Sequence, residues 1–121
     1  MNSIMQSSNL EPGWTHVCSR DDLVENAGVA ALIENEQVAL FFVAGEEERL
    51  FAVGNFDPIG KANVMSRGIV GDLDGEPVVA SPLYKQHFRL RDGQCLEDES
   101  YALPYFEARL IDGGVWVRLR D

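Results

Sequence analysis

Long hydrophobic runs are missing from this 121-residue chain. The longest apolar stretch, residues 38–44, falls far short of the roughly 18 residues of a membrane-spanning helix and suits one buried strand instead. Positive charge is scarce as well: 10 Lys and Arg face 20 Asp and Glu, for a net charge of −10. Such a surface repels phosphate backbones and anionic lipid, so nucleic acid and membranes are excluded as expected partners. Cysteine is limited to Cys18 and Cys95, too few for a disulfide scaffold, and both read as free thiols. Residues 1–12 hold neither Lys nor Arg nor an apolar core, which excludes a secretory signal or transit peptide and predicts a flexible leader on a cytoplasmic protein. With no internal repeat, residues 13–121 form one expected domain.

What the chain does have is short β-forming runs punctuated by turn residues. Residues 14–18 read as a first strand, and Ser19 then caps a single helical turn that Gly28 ends, since acids follow the cap. Residues 29–33 and 37–43 flank Glu34-Asn35-Glu36 as a hairpin, and 50–53 follows as the next strand. Asp74-Gly75, Asp92-Gly93 and Asp112-Gly113-Gly114 each sit between β-rich runs, namely 69–73 with 77–80, 87–91 with 95–96, and 105–111 with 115–119. An Asp-Gly pair between strands is the strongest short-range hairpin signal. The longest segment without a strand pattern is 55–68, expected as a loop with one helical turn over 62–66. The fold class is all-β, a sandwich or small barrel of short antiparallel strands with one or two short helical turns.

Catalytic motifs are absent: there is no GxGxxG, Walker loop or HExxH, and His16 and His87 read as strand histidines rather than metal ligands. Asp72-Leu73-Asp74-Gly75 has the opening of a calcium loop, but its twelfth position is Leu83 instead of the bidentate glutamate, so a turn explains it better. The acid runs Glu46-Glu47-Glu48 and Glu97-Asp98-Glu99 read as solvated charge. Ser81, Cys18 and Cys95 have no base nearby in sequence to activate them.

Two loops in the middle of the chain stand apart. Gly54-Asn55-Phe56-Asp57-Pro58 follows the strand at 50–53, and Val79-Ala80-Ser81-Pro82-Leu83-Tyr84 runs on into Phe88 and the Asp92-Gly93 turn. This arrangement resembles the Rieske iron–sulfur domain, which carries CxH in the first loop and CPxH in the second, each after a strand. Asn55 and Asp57 stand at the CxH positions, and Ser81 and Tyr84 at the second Cys and His. A Rieske centre needs two thiolates and two imidazoles, so the resemblance implies the fold with no metal and no cofactor in this chain. The interval 58–80 is also longer than the usual Rieske spacing. Further features are Trp14-Thr15-His16-Val17-Cys18, Ser66-Arg67-Gly68, Lys85-Gln86-His87-Phe88-Arg89-Leu90 and Asp92-Gly93-Gln94-Cys95-Leu96-Glu97-Asp98. Taken in order, they are similar to the small subunits of cytoplasmic NADH-dependent nitrite reductases. That resemblance implies a partner, a large catalytic subunit with FAD, an iron–sulfur cluster and sirohaem that reduces nitrite to ammonium with electrons from NAD(P)H.

Three functions are consistent with these residues: a cluster-free accessory subunit without catalytic residues, a Rieske-type electron-carrier ferredoxin, and an unrelated β-sandwich interaction module. The four altered ligand positions favour the first over the second. In a Rieske-type fold the two loops share one tip, which here carries Phe56, Pro58, Ile59, Pro82, Leu83 and Tyr84. These side chains either pack together into the vacated cluster site or form an exposed docking patch rimmed by Lys61, Arg67 and Lys85.

Overall fold

The computed structural model describes residues 12–44 and 49–119; the expected leader up to residue 11 and the acid run 46–48 lie outside the described residues. The strands are β1 (Trp14–Ser19), β2 (Gly28–Ile33), β3 (Glu36–Val43), β4 (Arg49–Gly54), β5 (Phe56–Asp57), β6 (Ala62–Asn63), β7 (Ile69–Leu73), β8 (Glu76–Ala80), β9 (His87–Arg89), β10 (Tyr105–Ile111) and β11 (Gly114–Arg118). Two 3₁₀ turns, Arg20–Asp22 and Met65–Arg67, complete the described elements. An antiparallel sheet of six strands runs β1-β11-β10-β4-β3-β2, a three-stranded sheet runs β7-β8-β9, and β5 pairs with β6.

β3 is the spine. Its sequence Val38-Ala39-Leu40-Phe41-Phe42-Val43 is buried throughout because successive side chains enter opposite cores. Val38 and Leu40 join Ile33, Ala52, Val115 and Val117 inside the six-stranded sheet. Ala39, Phe41 and Val43 instead meet Met65, Val79, Phe88 and Leu90 between the two larger sheets. An antiparallel strand with no solvent face therefore reads as an unbroken apolar run, a pattern more usual in parallel sheets.

The turns follow their residues. Glu34 and Asn35 (φ 49° and 72°), Asp74 and Gly75 (55° and 86°) and Asp112 and Gly113 (53° and 78°) each place two consecutive residues in the left-handed region. That is the type I′ geometry, whose twist matches paired strands. The first hairpin is thus one residue tighter than its sequence suggests, with Ile33 opposite Glu36. The Asp92-Gly93 turn differs, because the strand ends at Arg89 and the Leu90 N–H donates to Pro77 O at 3.0 Å. Gly93 is obligatory there: a Cβ would lie 2.0 Å from Leu103 O.

Ser19 caps the first 3₁₀ turn as expected, with Asp22 closing a capping box on its N–H. The turn stops at Leu23, whose backbone is already extended, so Gly28 is not the terminator but the first residue of β2. Residues 55–68 are also more ordered than a loop: Phe56 and Asp57 pair with Asn63 and Ala62, and the helical turn falls later, at Met65–Arg67, with Met65 buried.

Two measurements check this architecture. Phe41→Ala should cost about 3–5 kcal/mol in urea unfolding, whereas Leu32→Ala, at a position 66% exposed on β2, should change stability by less than about 0.5 kcal/mol. Asp92 supplies a pH test. Burial acts to raise its carboxyl, but hydrogen bonds from Arg89 and the Gln94 N–H, with the charges of Arg89 and Arg91, outweigh it and hold the group below the usual carboxylate range. A depressed folded-state value gives stability that is present above the unfolded value and is lost as pH falls through the folded one. Asp92→Asn should therefore flatten the decline in stability below about pH 4.

Candidate functional site

The two loops singled out in the sequence do meet, and a buried polar pair joins them. Asp57 Oδ2 accepts from Ser81 Oγ at 2.5 Å, with Asp57 0% and Ser81 1% exposed. The other carboxylate oxygen of Asp57 accepts from the Ile59 and Gly60 N–H groups at 2.8 and 3.0 Å, and Ser81 Oγ accepts from the Leu83 N–H at 3.2 Å. Asn55, 3% exposed, accepts from the Ser66 N–H at 2.7 Å and ties the first loop to the second 3₁₀ turn. All three polar side chains satisfy the rule that a buried polar group needs hydrogen-bond partners.

The loops are built alike. Each begins with a side-chain cap followed by proline and an aliphatic residue: Asp57-Pro58-Ile59-Gly60-Lys61 and Ser81-Pro82-Leu83-Tyr84-Lys85. In each, the cap's carbonyl accepts from the lysine N–H four residues on, at 2.7 Å for Lys61 and 3.0 Å for Lys85. In each, that lysine is left-handed, with φ 63° and 67°, which costs a side-chain-bearing residue about 1 kcal/mol. Gly60 lets the loops close: a Cβ there would lie 2.4 Å from Leu83 Cδ1 and 2.9 Å from Asp57 Oδ2.

Of the two arrangements the sequence left open for the apolar tip residues, close packing holds for Ile59, which is half-buried against the second core, and in part for Leu83. Phe56, Leu83 and Tyr84 are 46%, 44% and 63% exposed, and of these three Leu83 lies against the first loop, beside Gly60. Asp57 and Ser81 occupy the space between the loops, and a polar pair sharing its hydrogen bonds leaves no dry cavity for aromatic rings. Pro58 and Pro82 are half-buried at the loop bases. Lys61, Arg67 and Lys85 are exposed, and none makes an ion pair with another described residue.

The remaining candidates lie elsewhere. Cys18 belongs to β1 and Cys95 to the core beside Phe88, both as free thiols. Burial, then the charge of Asp22, pushes the Cys18 thiol up, away from the reactive thiolate. His16 meets the Trp116 ring edge-on at 5.1 Å, and His87 Nδ1 lies 2.6 Å from Glu97 Oε2. No cluster of three His, Cys, Asp or Glu occurs among the described residues in metal-binding array. The donor set at the loops does not fit a [2Fe–2S] centre: it offers no thiolate or imidazole, and the Asp57 and Ser81 oxygens are committed to each other and to backbone N–H groups. The Asp57–Ser81 pair was missed in the sequence, where Asp-Pro and Ser-Pro signal turns but not contact between them.

Comparison with known proteins agrees with this architecture. Residues 13–118 match the family model of the Rieske-like [2Fe-2S] domain. The Escherichia coli (strain K12) nitrite reductase (NADH) small subunit is 45% identical over 105 residues, covering 87% of this chain and 96% of that protein. The crystal structure of a NADH-dependent nitrite reductase small subunit from Mycobacterium tuberculosis superposes with a TM-score of 0.83 at 43% identity, over 89% of this chain and 96% of that one. A Klebsiella oxytoca nitrite reductase [NAD(P)H] large subunit is 39% identical over 104 residues, 86% of this chain but 11% of that protein. The chain belongs to the Rieske-like domain family and, within it, to the nitrite reductase (NADH) small subunits.

The loop junction is testable. Ser81→Ala should cost about 1–3 kcal/mol by leaving a buried carboxylate oxygen short of a donor, and Asp57→Ala more. A double-mutant cycle should return a coupling of about 0.5–3 kcal/mol between the two positions. A coupling near zero would mean that the pair does not hold the loops together.

Proposed function

We propose that this chain is a cluster-free accessory subunit of an NADH-dependent nitrite reductase, which converts nitrite to ammonium, and that it acts by binding and supporting the large catalytic subunit. One observation carries the reading: at the family's ligand positions Asn55, Asp57 and Ser81 are buried and committed to hydrogen bonds, and Tyr84 is an exposed phenol where an imidazole would stand. The redox groups of the reaction, FAD, an iron–sulfur cluster and sirohaem, then belong to the large subunit. Support for the pairing comes from the Klebsiella oxytoca large subunit, a segment of which is similar to this chain. In this reading residues 13–121 are one domain after a leader at 1–12, and the protein works in the cytoplasm. No helix among the described residues is long and apolar enough to cross a membrane.

The docking surface in this proposal is the loop tip, where Phe56, Leu83 and Tyr84 stand exposed on a rigid base with Pro58, Ile59 and Pro82 beneath. Aromatic anchors at an interface centre contribute about 2 kcal/mol or more each. Tyr84→Ala and Leu83→Asp should therefore weaken association with the large subunit at least about tenfold while leaving the melting temperature of the isolated chain nearly unchanged. Normal binding by both variants would rule out the tip. The subunit assignment has its own test: chain purified anaerobically should lack stoichiometric iron and acid-labile sulfide, and should turn over nitrite with NADH only when the large subunit is added. A Rieske-type visible spectrum, or full activity of the chain alone, would end the proposal.

A further inference from the structure

The two lysines at the loop ends say what kind of surface the tip meets. They are the only lysines in the chain, and a net charge of −10 places them in an acidic protein. Both occupy the left-handed backbone region, where glycine or asparagine fits with less strain. Both are exposed without an ion-pair partner among the described residues, and each closes one of the two loops that carry the exposed Phe56, Leu83 and Tyr84. Strained conformations persist where the surrounding structure over-determines them, as these hydrogen-bonded turns do, and they cluster at functional sites. Each loop needs its turn, but neither turn needs an ammonium group.

Resting on the accessory-subunit reading, we infer that the tip docks into an apolar socket edged by carboxylates on the large subunit, with Lys61 and Lys85 as the paired cationic rim. The Asp57–Ser81 junction and the close approach at Gly60 hold the loops, and so both lysine backbones, in fixed relation. An acidic protein approaching an acidic site is repelled overall, so a local pair of cations both steers the encounter and sets which face goes in.

The test uses the full chain and its cognate large subunit, with association measured by surface plasmon resonance at several salt concentrations. Lys61→Gly with Lys85→Gly removes both charges and relieves the backbone, so the melting temperature should stay the same or rise by a few degrees. Association should nevertheless slow at least about fivefold at low salt and lose most of its salt dependence. Lys61→Glu with Lys85→Glu should weaken it further, and Lys61→Arg with Lys85→Arg should restore the wild-type rate. Wild-type binding matched by the glycine pair would overturn the carboxylate-rim inference and leave the accessory reading standing. Failure of the wild-type chain to bind the large subunit at all would remove both. Self-association of the chain alone, abolished in the glycine pair, would overturn the inference in favour of a second copy as occupant.

Discussion

β3 has no solvent face, and most of the molecule is arranged to satisfy that one constraint. Burying Val38 and Leu40 on one side and Ala39, Phe41 and Val43 on the other requires a covering layer on each. The six-stranded sheet supplies one core and β8, β9 and the Met65 turn the other. Register is then fixed, because a slip of one residue would send every β3 side chain into the wrong core. Gly28 shows how closely the cover sits: a Cβ there would lie 2.3 Å from Ser66 O and 2.8 Å from Phe41 Cε1. The first loop depends on the same strand, since Gly54 pairs with Val38 and the Asn55 N–H donates to Gln37 O at 3.0 Å.

Two loops leave this frame and have to be joined at their tip. A metal cluster does so with four ligand bonds; here one carboxylate does it with hydrogen bonds. Burying a carboxyl group is costly unless its oxygens are fully engaged, and Asp57 meets that condition through the Ile59 and Gly60 N–H groups and the Ser81 hydroxyl. The junction is short-ranged and directional, so the loops cannot drift apart without leaving buried polar oxygens short of donors. Gly60 is what permits the approach, and a side chain at that position would collide with both Leu83 and the carboxylate.

Much of the fold was legible because its signals are local. Asp74-Gly75 and Asp112-Gly113 announce their turns through residues that tolerate positive φ, and the β3 run announces a buried strand. Other features depend on partners far along the chain. The β5–β6 hairpin is two residues a side, too short for any periodicity to register. Asp57 and Ser81 are legible as altered ligand positions on two loops that share a tip, but nothing in the local sequence reveals the hydrogen bond between side chains 24 positions apart. Hydropathy leaves open whether the apolar tip residues fill the space between the loops or stand exposed, and it is hydrogen bonding that puts a carboxylate and a hydroxyl there. The left-handed lysines were equally hidden, because lysine carries no turn preference of its own.

The same junction explains why an exposed apolar tip is tolerable and useful. Exposed aromatic and aliphatic side chains on a mobile loop lose backbone entropy when they bind, at about 1–2 kcal/mol per residue fixed. Here the backbone around Phe56, Leu83 and Tyr84 is already fixed by Asp57, Ser81 and the two lysine-terminated turns. Little remains to be ordered except side-chain rotamers, so more of the apolar area that a partner covers is converted into affinity. A hydrogen-bonded pair can therefore fix a loop tip as the ligand bonds of a cluster do. The polar pair keeps the loops in place, and the surface they present is the one that the proposed docking would use.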